Sequence, residues 1–413
     1  MNRSMTGLSL AAGALVVVAV LPAVGEARQI GPTVDLCAEI NSPQSGDELI
    51  LAPGEYQGPC AIRRGGALGA PLVIRAADPA QRPRIVYGGS SSNVFEVRAS
   101  HVTIRGLEFG PSQREVDAVR IFGGNDVTIE DCLFSRLGGI AVVANHFSVV
   151  GLVVRRNVIR DSQATAMYFG CHDGVGCTVT GLLVERNLIQ GVTAPDPEIG
   201  YGVQVKLNSV GIVRNNVIVN TKGPGIMVYG SRTTSGGSVI ERNVTIGSRT
   251  ASGIVIGGGP AIVRNNIATS NEQAGVDLED YKKRGLVRDV VVANNTVYRN
   301  RGGGIGVPDS EFSGVMIVNN AAEAPAGTQV YPAAQAGLRM AGNVDCTAGP
   351  CFTNPEQQDF SPFAGSRLNG AGVFLDDASM PREDFFRVRR STSSPTAGAI
   401  ERPAGPLSLT LEP

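Results

Sequence analysis

The sequence predicts an all-β fold, a single-stranded right-handed parallel β-helix of about ten coils with N- and C-terminal caps. Short β-rich runs such as LVVRRNVI, LLVERNLI and IVRNNVIV recur at intervals of 23 to 30 residues. A second short run follows each of them, as in AMYFG, GVQVK and GIMVY, and no helical period lies between the two. Two strands per repeat are typical of a β-solenoid, in which each coil buries its apolar face only by stacking on its neighbours.

Each first run breaks at an asparagine, and the asparagines align in one register. Amides stacked about 4.8 Å apart can hydrogen-bond along the column, which would satisfy buried polar groups. Cys132 falls in the same column one repeat earlier, so we interpret it as a buried thiol that caps the ladder. A reactive nucleophile is the alternative interpretation of this thiol. The predicted ladder consists of Asn157, Asn187, Asn216, Asn243, Asn266, Asn295 and Asn320.

The N-terminus has the pattern of a secretory signal peptide over residues 1–27. Arg3 precedes an apolar run from Leu8 to Leu21, and small residues lead to Ala27. A retained membrane anchor is the alternative, although the apolar run is short for a span. We therefore expect a secreted or periplasmic protein that does not insert into a membrane after cleavage. The remainder is predicted as one domain over 28–403, with an N-terminal cap and first coils at 28–100, regular coils at 101–337, a C-terminal cap at 338–403 and a loose tail at 404–413.

The chain contains seven cysteines, which fits an oxidising compartment. Two pairs lie in the short segments CHDGVGC and CTAGPC, and a third pair is N-terminal. A zinc site is the alternative, but neither short pair has the close spacing and matched second pair of such sites. The predicted disulfides are Cys37–Cys60, Cys171–Cys177 and Cys346–Cys351.

The overall charge gives little attraction for a polyanion. The net charge is −1 and 18% of the residues are charged, so nucleic acid is not an expected partner. Any acidic ligand must be met by local charge. We expect a monomer.

The segment SGDELILAPGEYQGPCAIRRGGALGAPLVIRAADPAQRPRIVYGG, followed by VFEVRASHVTIRGLEF, resembles the opening of the chondroitinase-B/alginate-lyase-like β-helix proteins of the pectate-lyase-like superfamily. The resemblance covers residues 45–110, and it implies the fold together with polysaccharide binding or cleavage. In that family a catalytic lysine lies in a pattern similar to GYGVQVKLNS, which implies that role for Lys206. Tyr201 stands where the family has an acidic residue, and Val228 stands where it has an arginine.

Alternation along the second strands predicts which side chains point outward. Lys206 and Tyr229 should be neighbours on adjacent coils of this outward face. The loops at 171–177, 192–200 and 281–285 would wall an elongated groove, a shape suited to a polymer. The predicted exposed strip consists of Arg120, Tyr168, Gln204, Lys206, Tyr229, Asp277 and Glu279.

This strip contains the groups that β-elimination of a uronic-acid polymer requires. Lys206 could act as the base and Tyr229 as the acid. Arg120, or a calcium ion held by Asp277 and Glu279, could neutralise the substrate carboxylate. No cofactor is required, and calcium is the one metal that the residues suggest. His172 could assist as an acid or base, and the residues predicted to bind substrate are Tyr168, Gln204, Lys222, Lys282 and Lys283, which include three of the four lysines.

Three functions remain open from the sequence. The leading hypothesis is a secreted polysaccharide lyase, or a uronate epimerase that shares the same proton abstraction. A non-catalytic glycan-binding or surface scaffold is the second, in which Lys206 and Tyr229 only decorate a sheet face. A glycoside hydrolase is the third, with Asp196 or Glu198 facing Asp277 or Glu279 across the bond to be cleaved.

Overall fold

The computed structural model describes residues 25–42, 45–232 and 236–410. Residues 1–24 of the predicted signal peptide lie outside this part of the chain. Within it, no helix is long and apolar enough to span a membrane.

Three long parallel sheets wind around one apolar core, which confirms the predicted β-solenoid. The first sheet contains thirteen strands: Ala27–Ile30, Glu48–Leu51, Leu72–Ala76, Val102–Arg105, Val127–Glu130, Val153–Arg155, Leu182–Glu185, Gly211–Arg214, Ser238–Glu241, Ala261–Arg264, Val290–Ala293, Val315–Val318 and Leu338–Ala341. The second contains twelve: Glu55–Gln57, Arg84–Tyr87, Glu108–Ser112, Leu133–Leu137, Val158–Ser162, Leu188–Val192, Val217–Thr221, Val244–Ile246, Ile267–Thr269, Thr296–Tyr298, Ala321–Glu323 and Val344–Asp345. The third contains ten: Cys60–Ile62, Phe95–Val97, Val119–Ile121, Val142–Ala144, Met167–Phe169, Val203–Val205, Ile226–Val228, Ile254–Ile256, Ala274–Leu278 and Gly303–Gly306.

The remaining elements are short and lie outside the three long sheets. They are the helix Leu36–Ile40, the 3-10 helices Tyr281–Lys283, Cys346–Ala348 and Pro355–Gln357, the parallel pair Val149–Val150 and Val179–Thr180, and the antiparallel pair Phe352–Asn354 and Asp359–Pro362.

The solenoid has about thirteen coils rather than the predicted ten. The difference arises at its two ends, because the coils that begin at Ala27–Ile30 and Glu48–Leu51 lack the asparagine that marks later repeats. At the other end, Leu338–Ala341 and Val344–Asp345 add a further coil. A count based on the aligned asparagine repeats therefore missed coils at both ends.

The asparagine column runs along the corner between the first and second sheets. The backbone N–H and the Nδ2 of Asn216 both donate to Oδ1 of Asn243, at 3.1 and 2.9 Å, and the same pattern repeats on the other coils. The column begins at Cys132, whose N–H donates to Asn157, and it extends beyond the predicted members to Asn343. Burial raises the pKa of the Cys132 thiol to about 12, which disfavours a reactive thiolate at neutral pH.

The C-terminal segment folds back over this corner. Arg390 is buried in an ion pair with Glu401 at 3.0 Å and also donates to Oδ1 of Asn265 at 2.8 Å. Leu407 lies in the predicted tail, where it is buried and its N–H donates to the carbonyl of Gln358. The three predicted cysteine pairs form disulfides in the structure.

Candidate functional site

Lys206 and Tyr229 lie side by side at the carboxyl ends of two neighbouring strands of the third sheet. Each follows a strand directly, and those strands pair in parallel with Val205 opposite Val228. The Nζ of Lys206 is 4.0 Å from the centroid of the Tyr229 ring. Val228, at the position of the family arginine, faces the core and is fully buried. The coil register therefore brings Lys206 against an aromatic ring and not against a second cation.

Part of the predicted exposed strip is buried. Lys206 and Tyr229 are each only 1% exposed, and Gln204 is 3% exposed. The loop at 279–288 covers Tyr229, and the ring of Tyr281 meets that of Tyr229 edge-on with centroids 4.7 Å apart. His172 of the loop at 171–177 lies against Lys206. Strand alternation predicted the direction of these side chains correctly, but it carried no information on the loops that cover them.

Lys206 is a buried amine that forms no ion pair with a carboxylate in the described part of the chain. Its Nζ lies 3.4 Å from Nδ1 of His172 and 5.2 Å from the centroid of the Tyr168 ring. Burial lowers the pKa of Lys206 to about 8, and the positive charges of Arg284 and Lys282 add to this effect. A large fraction of Lys206 is therefore uncharged at mildly alkaline pH.

His172 connects this buried amine to solvent. It is exposed on the loop that the Cys171–Cys177 disulfide closes. The charge of Lys206 lowers the pKa of His172, as do partial burial and the charges of Lys282 and Arg284. Neutral imidazole is therefore favoured, a form that can both accept and donate a proton.

The hydroxyl of Tyr229 is held by two polar neighbours. The Nε2 of Gln204 donates to it at 2.9 Å, and the hydroxyl of Tyr201 lies 3.3 Å away. Burial raises the pKa of Tyr229, so the hydroxyl keeps its proton. The sequence placed Tyr201 only as a replacement for an acidic residue and did not predict this contact.

Asp277 and Glu279 lie on the same face, three coils beyond Gln204 and Lys206, about 14 Å along the axis. Burial raises the pKa of both carboxyls, and the charge of Asp277 raises that of Glu279 further. No group of three or more His, Cys, Asp or Glu side chains within the described ranges could hold a metal ion. Calcium at this carboxylate pair remains a prediction.

Arg120 lies three coils from Gln204 in the opposite direction. Its guanidinium is held by Asp117 and by Oδ1 of Asn145, at 2.5 and 3.1 Å. The structure thus does not place it beside Lys206.

The loop at 192–200 lies along the opposite edge of the third sheet, where the strands begin. There Lys222 forms an ion pair with Asp196 and donates to the carbonyl of Glu198 at 2.7 Å. The carboxylate of Glu198 lies 3.7 Å from Arg114. Both carboxylates therefore have basic partners within their own surroundings, and the structure shows no contact between them and Asp277 or Glu279.

Two side chains of the covering loop complete the site, and the sequence did not single them out. Tyr281 packs on Tyr229, and the guanidinium of Arg284 lies 5.1 Å from the centroid of the Tyr281 ring. Lys282 and Lys283, which were predicted to bind substrate, are exposed on the same loop. The basic segment YKKRG was the sequence feature that could have identified Tyr281 and Arg284.

Comparisons with known proteins agree on the fold. Residues 173–345 match the family described as right handed beta helix region. No curated protein matches the sequence. The chain is thus a right-handed parallel β-helix, as both this match and its three stacked sheets show.

Several solved structures are similar to this chain at low sequence identity. XylC, solved in complex with xylose, is 9% identical with a TM-score of 0.58, over 79% of this chain and 84% of XylC. A mutant of the PL6 family alginate lyase AlyGC is 13% identical with a TM-score of 0.51, over 90% of this chain and 58% of that lyase. Pectate lyase Pel9A is 18% identical with a TM-score of 0.45, over 91% of this chain and 96% of that enzyme. At these identities the similarity to XylC and to the AlyGC mutant, whose TM-scores exceed 0.5, establishes the fold alone.

Proposed function

We propose that this protein is a polysaccharide lyase that cleaves an acidic polysaccharide by β-elimination. One observation carries the proposal: Lys206 is buried beside Tyr229 and His172 with a pKa lowered to about 8. Burying an amine without a carboxylate partner costs free energy, and such perturbed groups are concentrated at functional sites. An amine with a pKa near the working pH is suited to general-base catalysis.

Each residue of the site has one role in the proposed reaction. Lys206 removes the proton from the carbon beside the uronate carboxylate, and the electron pair of that C–H bond forms a C=C bond as the glycosidic C–O bond breaks. Tyr229 donates its proton to the leaving oxygen, and His172 offers the proton on Lys206 a route to solvent. Lys282 and Arg284 neutralise the substrate carboxylate and so stabilise the charge that develops there. Because Lys206 and Tyr229 are covered in the free protein, the loop at 279–288 opens to admit the polymer.

The proposal also includes the setting of the reaction. Three disulfides fit a secreted or periplasmic protein. We propose that it acts as a monomer on an acidic polysaccharide without a required cofactor, and that calcium at Asp277 and Glu279 would meet the polymer about 14 Å from Lys206 and not at the reacting carboxylate.

The direct test is incubation with alginate, pectate and glycosaminoglycans while the ultraviolet absorbance of the unsaturated product is followed. Absorbance should rise with at least one polymer, and Lys206→Ala should abolish the rise. Flat traces with incorporation of solvent deuterium into the sugar would indicate an epimerase that uses the same base. Flat traces with binding alone would indicate a scaffold and contradict the proposal.

A further inference from the structure

An elongated groove lies at the corner between the first and second sheets, away from Lys206. Its cavity has a volume of about 1130 Å³. One wall is formed by the residues that directly precede each member of the asparagine ladder, from Asp131 to Arg242, and we call these residues the turn column. The other wall is the C-terminal segment. The turn column crosses five consecutive coils, so the groove is about 19 Å long. This length and volume suit several linked sugar units better than one small molecule.

The lining of this groove has an excess of basic side chains, although the protein as a whole does not. Four arginines and one aspartate line it, whereas the net charge of the chain is −1. Arg186 is exposed, and its side chain forms no hydrogen bond or ion pair within the described ranges. Arg156 pairs with Glu130 and Asp131, and Arg242 pairs with Glu241, which fixes both on the wall. Among the described residues, Arg82 and Arg186 are therefore the arginines of the lining without a carboxylate partner. Guanidinium groups bind carboxylates and other planar anions in a bidentate manner.

An aromatic pair at the groove favours a carbohydrate. Phe385 and Phe386 on the C-terminal wall pack edge to face with centroids 5.1 Å apart, and Phe386 is exposed. Such rings can contact the apolar faces of sugar rings. In addition, Nδ2 of Asn215 and Nε of Arg242 are buried without a partner among the described residues. Both nitrogens are inaccessible to water, so they lie inside the wall of the groove and do not contact a ligand.

We propose that this groove is a second, non-catalytic binding site for an acidic polysaccharide. The arginines would bind carboxylate or sulfate groups along the chain, and the phenylalanines would contact the sugar rings between them. The C-terminal segment thereby acquires a role beyond capping, since it forms one wall of the groove. This site does not depend on the proposed lyase activity.

The test uses the full chain with Lys206→Ala, which prevents turnover if the protein is a lyase. Calorimetric titration with a short oligogalacturonate should reveal two binding events. Adding Arg186→Ala should weaken one of them about ten-fold, as expected for the loss of a charge-assisted contact. Adding Arg82→Ala as well should remove that event, and high salt should weaken it. Arg64→Ala removes an exposed arginine outside the groove and serves as the matched control.

The outcomes separate this proposal from the lyase proposal. Loss of one binding event in the Arg82/Arg186 variant supports the groove whether or not any product forms in the absorbance assay. Identical titrations for this variant and for Arg64→Ala would overturn the groove. Equal binding of an uncharged cello-oligosaccharide, or tighter binding of a single-stranded oligodeoxythymidylate, would also overturn it.

Discussion

The Nζ of Lys206 lies 4.0 Å from the centroid of the Tyr229 ring, although the two residues belong to different coils. An aromatic face stabilises an ammonium ion, which alone would raise the pKa of the lysine. The pKa of Lys206 is nevertheless lowered, because burial and the charges of Arg284 and Lys282 outweigh that attraction. The site therefore holds an amine that loses its proton readily.

This balance predicts a trade-off between stability and activity at Lys206. A pKa of about 8 in the folded state and 10.5 in the unfolded state means that the unfolded chain binds more protons between these pH values. The free energy of unfolding should therefore rise with pH through this window. The cost of burying the charged amine should reach its full value below pH 8. Lys206→Met should therefore raise the free energy of unfolding at pH 7 by up to about 3 kcal/mol while it abolishes activity. Urea unfolding at pH 7 and pH 10 measures the gain, which should be smaller at pH 10.

Lys206→Arg provides the control for this stability measurement. It keeps a cation at the position, so it should lose activity without gaining stability at pH 7. An equal change in stability in the Met variant at both pH values would show that the pKa of Lys206 is the same in the folded and unfolded states, and would contradict the prediction.

The rate should follow the titration of the same amine. We predict that kcat/KM rises with pH and levels off above an apparent pKa of about 8, because only uncharged Lys206 accepts a proton. Arg284→Ala removes a charge that lowers this pKa, so the rising limb should move to higher pH. Arg64→Ala should leave it in place. A profile that does not change in Arg284→Ala would contradict the assignment of Lys206 as the base.

The repeat predicted which residues share a coil position, and the loops determined the rest. Lys206 and Tyr229 could be paired from the alignment because parallel stacking preserves register. Their burial could not be predicted, because the loop at 279–288 belongs to no repeat and its conformation depends on side chains such as Tyr281. The same alignment already separated Arg120 from Lys206 by three coils. Arg120 was chosen for its charge, and that choice did not take the distance into account.

The asparagine ladder should contribute most to stability at its centre. The side chain of Asn243 donates to Val213 and Asn266 and accepts from Asn216, and it is fully buried. Asn243→Ala would leave several of these groups unpaired, at a cost on the order of 3 kcal/mol. Asn343→Ala at the partly exposed end should cost clearly less. Urea unfolding compares the two, and equal losses would contradict a ladder that is strongest where water is excluded.

The Cys171–Cys177 disulfide should affect catalysis more than folding. It closes a loop with a sequence separation of only 6, so replacing both cysteines with serine should cost about 2 kcal/mol or less. Because this loop holds His172 beside Lys206, its release should admit water to the amine and raise the pKa of Lys206. We therefore predict a lower kcat/KM and a rising limb displaced to higher pH. Serine at Cys346 and Cys351 opens a similarly short loop at the far end of the solenoid and should cost comparable stability without moving the pH profile. The same displacement in both double variants would show that loosening of the fold, and not the position of His172, controls the base.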